Sequence, residues 1–81
     1  MFKHVINAKY IKDYTIWLAF NDGAEGKVDL SEKLKNRKGV FEPLRKIDYF
    51  RNFKIEGDTL SWANGADLAP DSLYDLLQEQ N

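Results

Sequence analysis

The chain has 81 residues, 43% of them hydrophobic and 14% aromatic, which supplies one small core and leaves no length for a second domain, so residues 1–81 are expected to form a single unit. There is no cysteine, which excludes disulfides, thiolate metal sites and thiol nucleophiles, and no apolar run approaches the roughly 20 residues of a membrane span or the core of a signal peptide, so a cytoplasmic protein is expected. The net charge of −1 conceals a segregation: residues 31–54 carry eight bases (Lys33, Lys35, Arg37, Lys38, Arg45, Lys46, Arg51, Lys54) against three acids, whereas residues 55–81 carry six acids and no base.

In chain order, HVINAKYIK and YTIWLAF are rich in β-branched and aromatic residues, and the Lys12-Asp13 break between them predicts a hairpin. In the second strand Tyr14, Ile16, Leu18 and Phe20 fall on one face and Thr15, Trp17 and Ala19 on the other, because side chains alternate. The first face reads as core. Asn21-Asp22-Gly23 is a turn in which Gly23 and Asp22 can take positive φ, returning the chain as AEGKVDL, with a bulge or a weak start expected at Gly26.

LSEKLKN predicts a short helix with Ser31 as N-cap and Leu34 facing inward. Gly39 and Pro43 then predict a loop with a helical turn over 43–50, anchored by Phe41, Leu44 and Phe50. FKIEGDTLSWA returns to alternation about a Gly57-Asp58 turn, a second hairpin. The closing segment APDSLYDLLQEQ starts a helix at Pro70, whose missing N–H costs nothing in the first turn, and Leu73, Leu76 and Leu77 form its buried stripe. The expected fold is α+β: an antiparallel β-meander, a second β-hairpin, one short helix and a C-terminal helix packed on the sheet.

Few residues nominate a chemistry. His4 is the sole histidine and has no partner at metal-ligand or nucleophile spacing. Asp22, Asp29, Asp67 and Asp71 lie in turn-like stretches that do not fit the calcium-loop pattern, and no glycine-rich phosphate loop occurs. No catalytic residue, metal ligand or cofactor is therefore assigned, and a non-enzymatic protein is expected. The basic segment, interleaved with Phe41, Tyr49, Phe50 and Phe53, has the composition of a phosphate-binding and base-stacking surface, although a small core needs the same aromatic rings. Trp17 lies on the face opposite the predicted core, which either stays open as an interaction surface or is covered by the second hairpin or the 39–44 loop.

The stretches FNDGAEGKVDL, GVFEPL, YFRNFKI and above all LSWANGADLAPDSLY resemble the bacterial domain-of-unknown-function family 2442 across most of residues 10–76. Asp22, Gly23, Asp29, Trp62, Asn64, Gly65, Asp67, Leu68, Pro70 and Tyr74 match its motif. The resemblance implies a small α+β domain of hairpins with a terminal helix. It also implies membership of toxin-antitoxin-like pairs, and in some members fusion to a helix-turn-helix domain for which these 81 residues leave no room.

By residue type alone, the last motif is a joint. Gly65 gives the bend its conformational freedom, Asp67 accepts amide hydrogen bonds, Pro70 starts the helix, and Trp62 and Tyr74 pack across. The functional expectation is a protein-interaction module with an unidentified protein partner and no membrane contact, the partner-facing residues being Trp17, Lys35, Arg37, Lys38, Asn64 and Asp67. The alternative is a nucleic-acid-binding or transcription-regulatory accessory domain using residues 33–54.

Overall fold

The computed structural model describes residues 2–80 and arranges them as β1 (Val5–Lys12), β2 (Thr15–Phe20), β3 (Glu25–Asp29), α1 (Ser31–Leu34), a 3₁₀ segment (Gly39–Arg45), α2 (Ile47–Phe50), β4 (Lys54–Glu56), β5 (Thr59–Ser61) and α3 (Pro70–Gln80). The fold is α+β. An antiparallel meander in the order β1-β2-β3 forms one sheet and the β4-β5 hairpin a second. No helix among the described residues is long and apolar enough to cross a membrane.

The alternation in β2 decides where the core lies. Ile16, Leu18 and Phe20 are buried, and their cross-strand neighbours Tyr10 and Val28, Ala8 and Gly26, and Val5 share that face. Leu34, Leu44, Phe50, Leu60, Trp62, Leu68, Leu73 and Leu77 join them in one cluster. Phe50 is its aromatic hub, edge-on to Tyr14 at 5.2 Å and Tyr10 at 6.3 Å and tilted against Trp62 at 6.0 Å. Truncating a buried leucine in such a cluster costs about 2–5 kcal/mol.

Several local expectations are corrected by the geometry. Gly26 pairs in register with Leu18, and β2-β3 has no bulge. The irregularities fall instead in β1, at Val5/Asn7 and Tyr10/Lys12, where an edge strand has a free side to accommodate an extra residue. At the β2-β3 turn only Gly23 has positive φ, at 92°; Asp22 contributes through its side chain, whose Oδ1 accepts the Ala24 N–H at 3.0 Å. Ser31 does not cap α1: Leu30 holds the N-cap position without a side-chain cap, and Ser31 is the first helical residue, its N–H donating to Asp29 Oδ1 at 2.9 Å. The β4-β5 hairpin turns through Gly57 and Asp58, both with positive φ (58° and 68°), the conformation that follows strand twist in a two-residue loop.

Helix α3 lies against β3 and buries Leu73 and Leu77, with Leu76 half-buried, so the i, i+4 stripe faces the core as expected. Near its end Gln80 Oε1 accepts the Asp29 N–H at 2.7 Å and Gln80 Nε2 donates to the Asp29 carbonyl at 3.1 Å. One side-chain amide thus imitates a strand partner at the outer edge of β3. The start of β1 is held at the other end of the sheet, where His4 and Asn21 exchange backbone and side-chain hydrogen bonds and the Val5 N–H donates to the Asp58 carbonyl of the second hairpin.

Candidate functional site

The motif around residues 62–74 is the first place to look for a site, and its polar groups are directed inward to the backbone. Gly65 has φ of 91°, which bends the chain so that the Trp62 N–H reaches the Ala66 carbonyl at 2.9 Å. Asn64 ties this bend to the 3₁₀ segment. Its Nδ2 donates to the Val40 carbonyl at 2.7 Å, its Oδ1 accepts the Ala66 N–H at 3.1 Å, and its own N–H donates to the Tyr49 hydroxyl at 3.0 Å. Trp62 Nε1 donates to the Phe50 carbonyl at 2.9 Å. Asp67 does not accept the amide bonds expected of it: its backbone bridges Ser61 while its side chain is exposed, since Asn64 has already satisfied the amide at the bend.

The expected packing of Trp62 with Tyr74 resolves into two separate contacts. Trp62 meets Phe50, whereas Tyr74 meets Phe20 edge-on at 5.0 Å and donates its hydroxyl to Asp22 Oδ2 at 2.6 Å. Lys3 completes this second cluster, 3.4 Å from the same Asp22 oxygen and 4.1 Å above the Tyr74 ring. The Tyr74 hydroxyl, then the Ala24 N–H, with Lys3 adding to them, hold the Asp22 carboxyl below its ordinary range, and the same hydrogen bond raises Tyr74. Two motif residues far apart in sequence therefore form a latch between the β2-β3 turn and α3.

His4 stands 2.9 Å from Asp58 but without hydrogen-bond alignment, and no group of three or more His, Asp or Glu side chains gathers among the described residues. His4, Asn64 and Asp67 thus have different neighbours and do not make one cleft.

In the basic segment the arginines and rings are largely engaged by the fold. Arg45 caps the end of α1, donating from Nε to the Leu34 carbonyl at 3.2 Å and from its guanidinium to the Arg37 carbonyl. Arg37 stacks on Phe41 at 4.6 Å and Arg51 on Tyr10 at 5.6 Å. Phe50 is buried, and Phe41, Tyr49 and Phe53 are half-buried against the core. A cleft of about 390 Å³ lined by Tyr14, Ser31, Glu32, Leu34, Lys35 and Arg45 opens beside α1. Its arginine is committed to backbone carbonyls, and Lys35 and Lys38 extend into solvent.

The opposite face of the meander is different. The helices and the second hairpin pack on the Ile16 side, and neither the hairpin nor the 39–44 loop brings Trp17 into the core cluster. Trp17 stands in the middle strand between Lys9 on β1 and Lys27 on β3, with Lys9 Nζ 5.7 Å from its ring centre. The rows on either side are Asn7-Ala19-Glu25 and Lys12-Thr15-Asp29. Each bulge in β1 sets two successive residues against one residue of β2: Ile6 and Asn7 against Ala19, and Ile11 and Lys12 against Thr15. Ile6 is 62% exposed and Ile11 40%. The open face is therefore an aromatic and aliphatic line, Ile6-Trp17-Ile11, edged by Lys9 and Lys12. Sequence reasoning found Trp17 and missed the two isoleucines; the adjacent apolar pairs Val5-Ile6 and Tyr10-Ile11 were the signal, since a regular half-buried strand does not place two in succession.

A meander covered on one face, a satellite hairpin and a closing helix fastened to the turn by Tyr74 define a small α+β domain of the hairpin-and-helix class. Residues 5–79 match the family described as Protein of unknown function (DUF2442), and the chain belongs to that family. No curated protein and no solved structure matches the chain.

Proposed function

We propose that this domain is a non-enzymatic protein-interaction module that docks its partner on the open face of the meander. The observation that carries the reading is the line Ile6-Trp17-Ile11, three large apolar side chains on a sheet face outside the core cluster. A half-buried aromatic with exposed aliphatic neighbours and a lysine edge has the composition of an interface centre and its rim. The setting we propose is one half of a two-protein regulatory or toxin-antitoxin-like pair in the cytoplasm.

The polar motif residues Asn64, Asp22 and Tyr74 serve the fold in this reading, and Asp67, Lys35, Arg37 and Lys38 form a peripheral surface. Nucleic-acid binding through residues 33–54 is the rival. It has exposed lysines in its favour, while its rings pack against the core and its arginines are held by carbonyls and aromatic faces.

The test is capture of the partner from the native cell by three tagged forms: wild type, Trp17→Thr, and Lys35→Glu with Arg37→Glu. The reading expects Trp17→Thr to lose the partner and the double charge variant to keep it. Retention by folded Trp17→Thr removes the proposal. A nucleic-acid ligand lost only by the charge variant, with steep salt dependence, establishes the rival.

A further inference from the structure

We infer that the occupant of the open face is an acidic amphipathic helix of a protein partner, about three turns long and lying along β1. This rests on the reading that the face is a protein-docking surface and adds the chemistry of what docks there.

Length and pattern come first. Ile6 and Ile11 are five residues apart on β1, about 16 Å at the rise of a strand, and three turns of α-helix also span about 16 Å. Trp17 lies beside Lys9 between them. A helix with apolar residues at i, i+4, i+7 and i+11 matches that line. Charge then selects the flanks: Lys9 and Lys12 border the line on β1, and neither forms an ion pair with a described residue. Carboxylates beside the apolar stripe meet them.

Other occupants fit less well. Addition of a strand to β1 is opposed because its edge is already blunted: the Val5 N–H is taken by the Asp58 carbonyl, the Ala8 N–H by Asn7 Oδ1 at 2.9 Å, and two bulges break the ladder. A second copy packed face to face about Trp17 sets Lys9 against a lysine. A second copy offering α3 brings Asp71, Asp75 and Glu79, but the Leu73 and Leu77 of that helix are spent in its own core. A nucleic-acid strand finds a single ring on this face, Trp17, for stacking.

The experiment titrates ¹⁵N-labelled protein with synthetic 14-residue peptides that share a leucine stripe of the stated spacing and differ at the flanking positions, which are Glu, Gln or Lys. A twelve-nucleotide oligothymidylate is the fourth probe. The Glu peptide is expected to shift the Ile6, Lys9 and Ile11 amides and the Trp17 indole, and to bind about tenfold tighter than the Gln peptide, the sum of a few partly exposed ion pairs. Lys9→Glu with Lys12→Glu is expected to invert the order in favour of the Lys peptide.

Equal binding of the Glu and Gln peptides at this face overturns the acidic partner and leaves the docking face standing. Absence of Glu-peptide binding, or shifts confined to another surface, overturns the inference, and the Trp17→Thr capture then decides whether the docking reading falls with it. Tighter binding of the oligonucleotide transfers the face to nucleic acid. Sedimentation of the protein alone showing a dimer that Trp17→Thr dissolves assigns it to a second copy.

Discussion

Asp22 shows how a short turn motif becomes a tertiary fastening. Its carboxyl orders its own turn through the Ala24 N–H and holds α3 through the Tyr74 hydroxyl. Because its folded pKa lies below the ordinary carboxylate value, its contribution is present above about pH 4 and is lost as pH falls through the folded value. The thermal midpoint of the wild type, followed by circular dichroism, is therefore expected to drop further as pH falls below about 4 than that of Asp22→Asn, whose amide oxygen still accepts from Tyr74 without titrating. Gly65 is a second residue with one evident physical role. At φ of 91° a side chain is strained although a Cβ there meets nothing within 4 Å, so Gly65→Ala is expected to cost about 1–3 kcal/mol by denaturant unfolding through backbone strain alone. The need for glycine was legible from Asn-Gly; the Asp22–Tyr74 bond was not, because nothing in the spacing of two residues 52 apart says that they meet.

At the scale of elements, the strands and the closing helix were legible because their apolar periods are clear: YTIWLAF alternates cleanly, and Leu73 and Leu77 repeat one turn apart. The details at element ends were not. Ser31 is a strong N-cap type, yet the helix begins one residue earlier than that role requires, with Leu30 at the N-cap and the Ser31 N–H donating to Asp29. β1 was read as a plain strand, yet two bulges interrupt it, one beside each exposed isoleucine. The joint between β5 and α3 is held by specific hydrogen bonds that substitutions can remove singly. Trp62→Phe keeps the ring against Phe50 and deletes the donor to the buried Phe50 carbonyl, so a loss of about 1–3 kcal/mol is expected. Asn64→Ala releases the 3₁₀ segment, and faster amide exchange is expected across Val40–Leu44 with little change in the meander.

Over the whole molecule, the charge segregation seen in the sequence persists in the fold. Of the ion pairs formed by described residues, one joins the basic segment to the acidic third, and that is the local Lys54–Glu56 pair at 3.3 Å. Among the described residues the two regions share no ion pair beyond that local one. A folded domain with a lysine-edged apolar face and an acidic helix has two electrostatically distinct surfaces, and association through the first is expected to slow and weaken with added salt. The central claim is that the Ile6-Trp17-Ile11 face contributes to binding and little to folding. The most direct measurement is the unfolding free energy of Trp17→Thr set beside its partner capture, with Leu18→Ala as the core reference. Trp17→Thr is expected to stay within about 1 kcal/mol of wild type and to lose the partner, while Leu18→Ala is expected to lose about 2–5 kcal/mol. Loss of stability by Trp17→Thr comparable to that of Leu18→Ala, or undiminished capture by the folded variant, contradicts that claim.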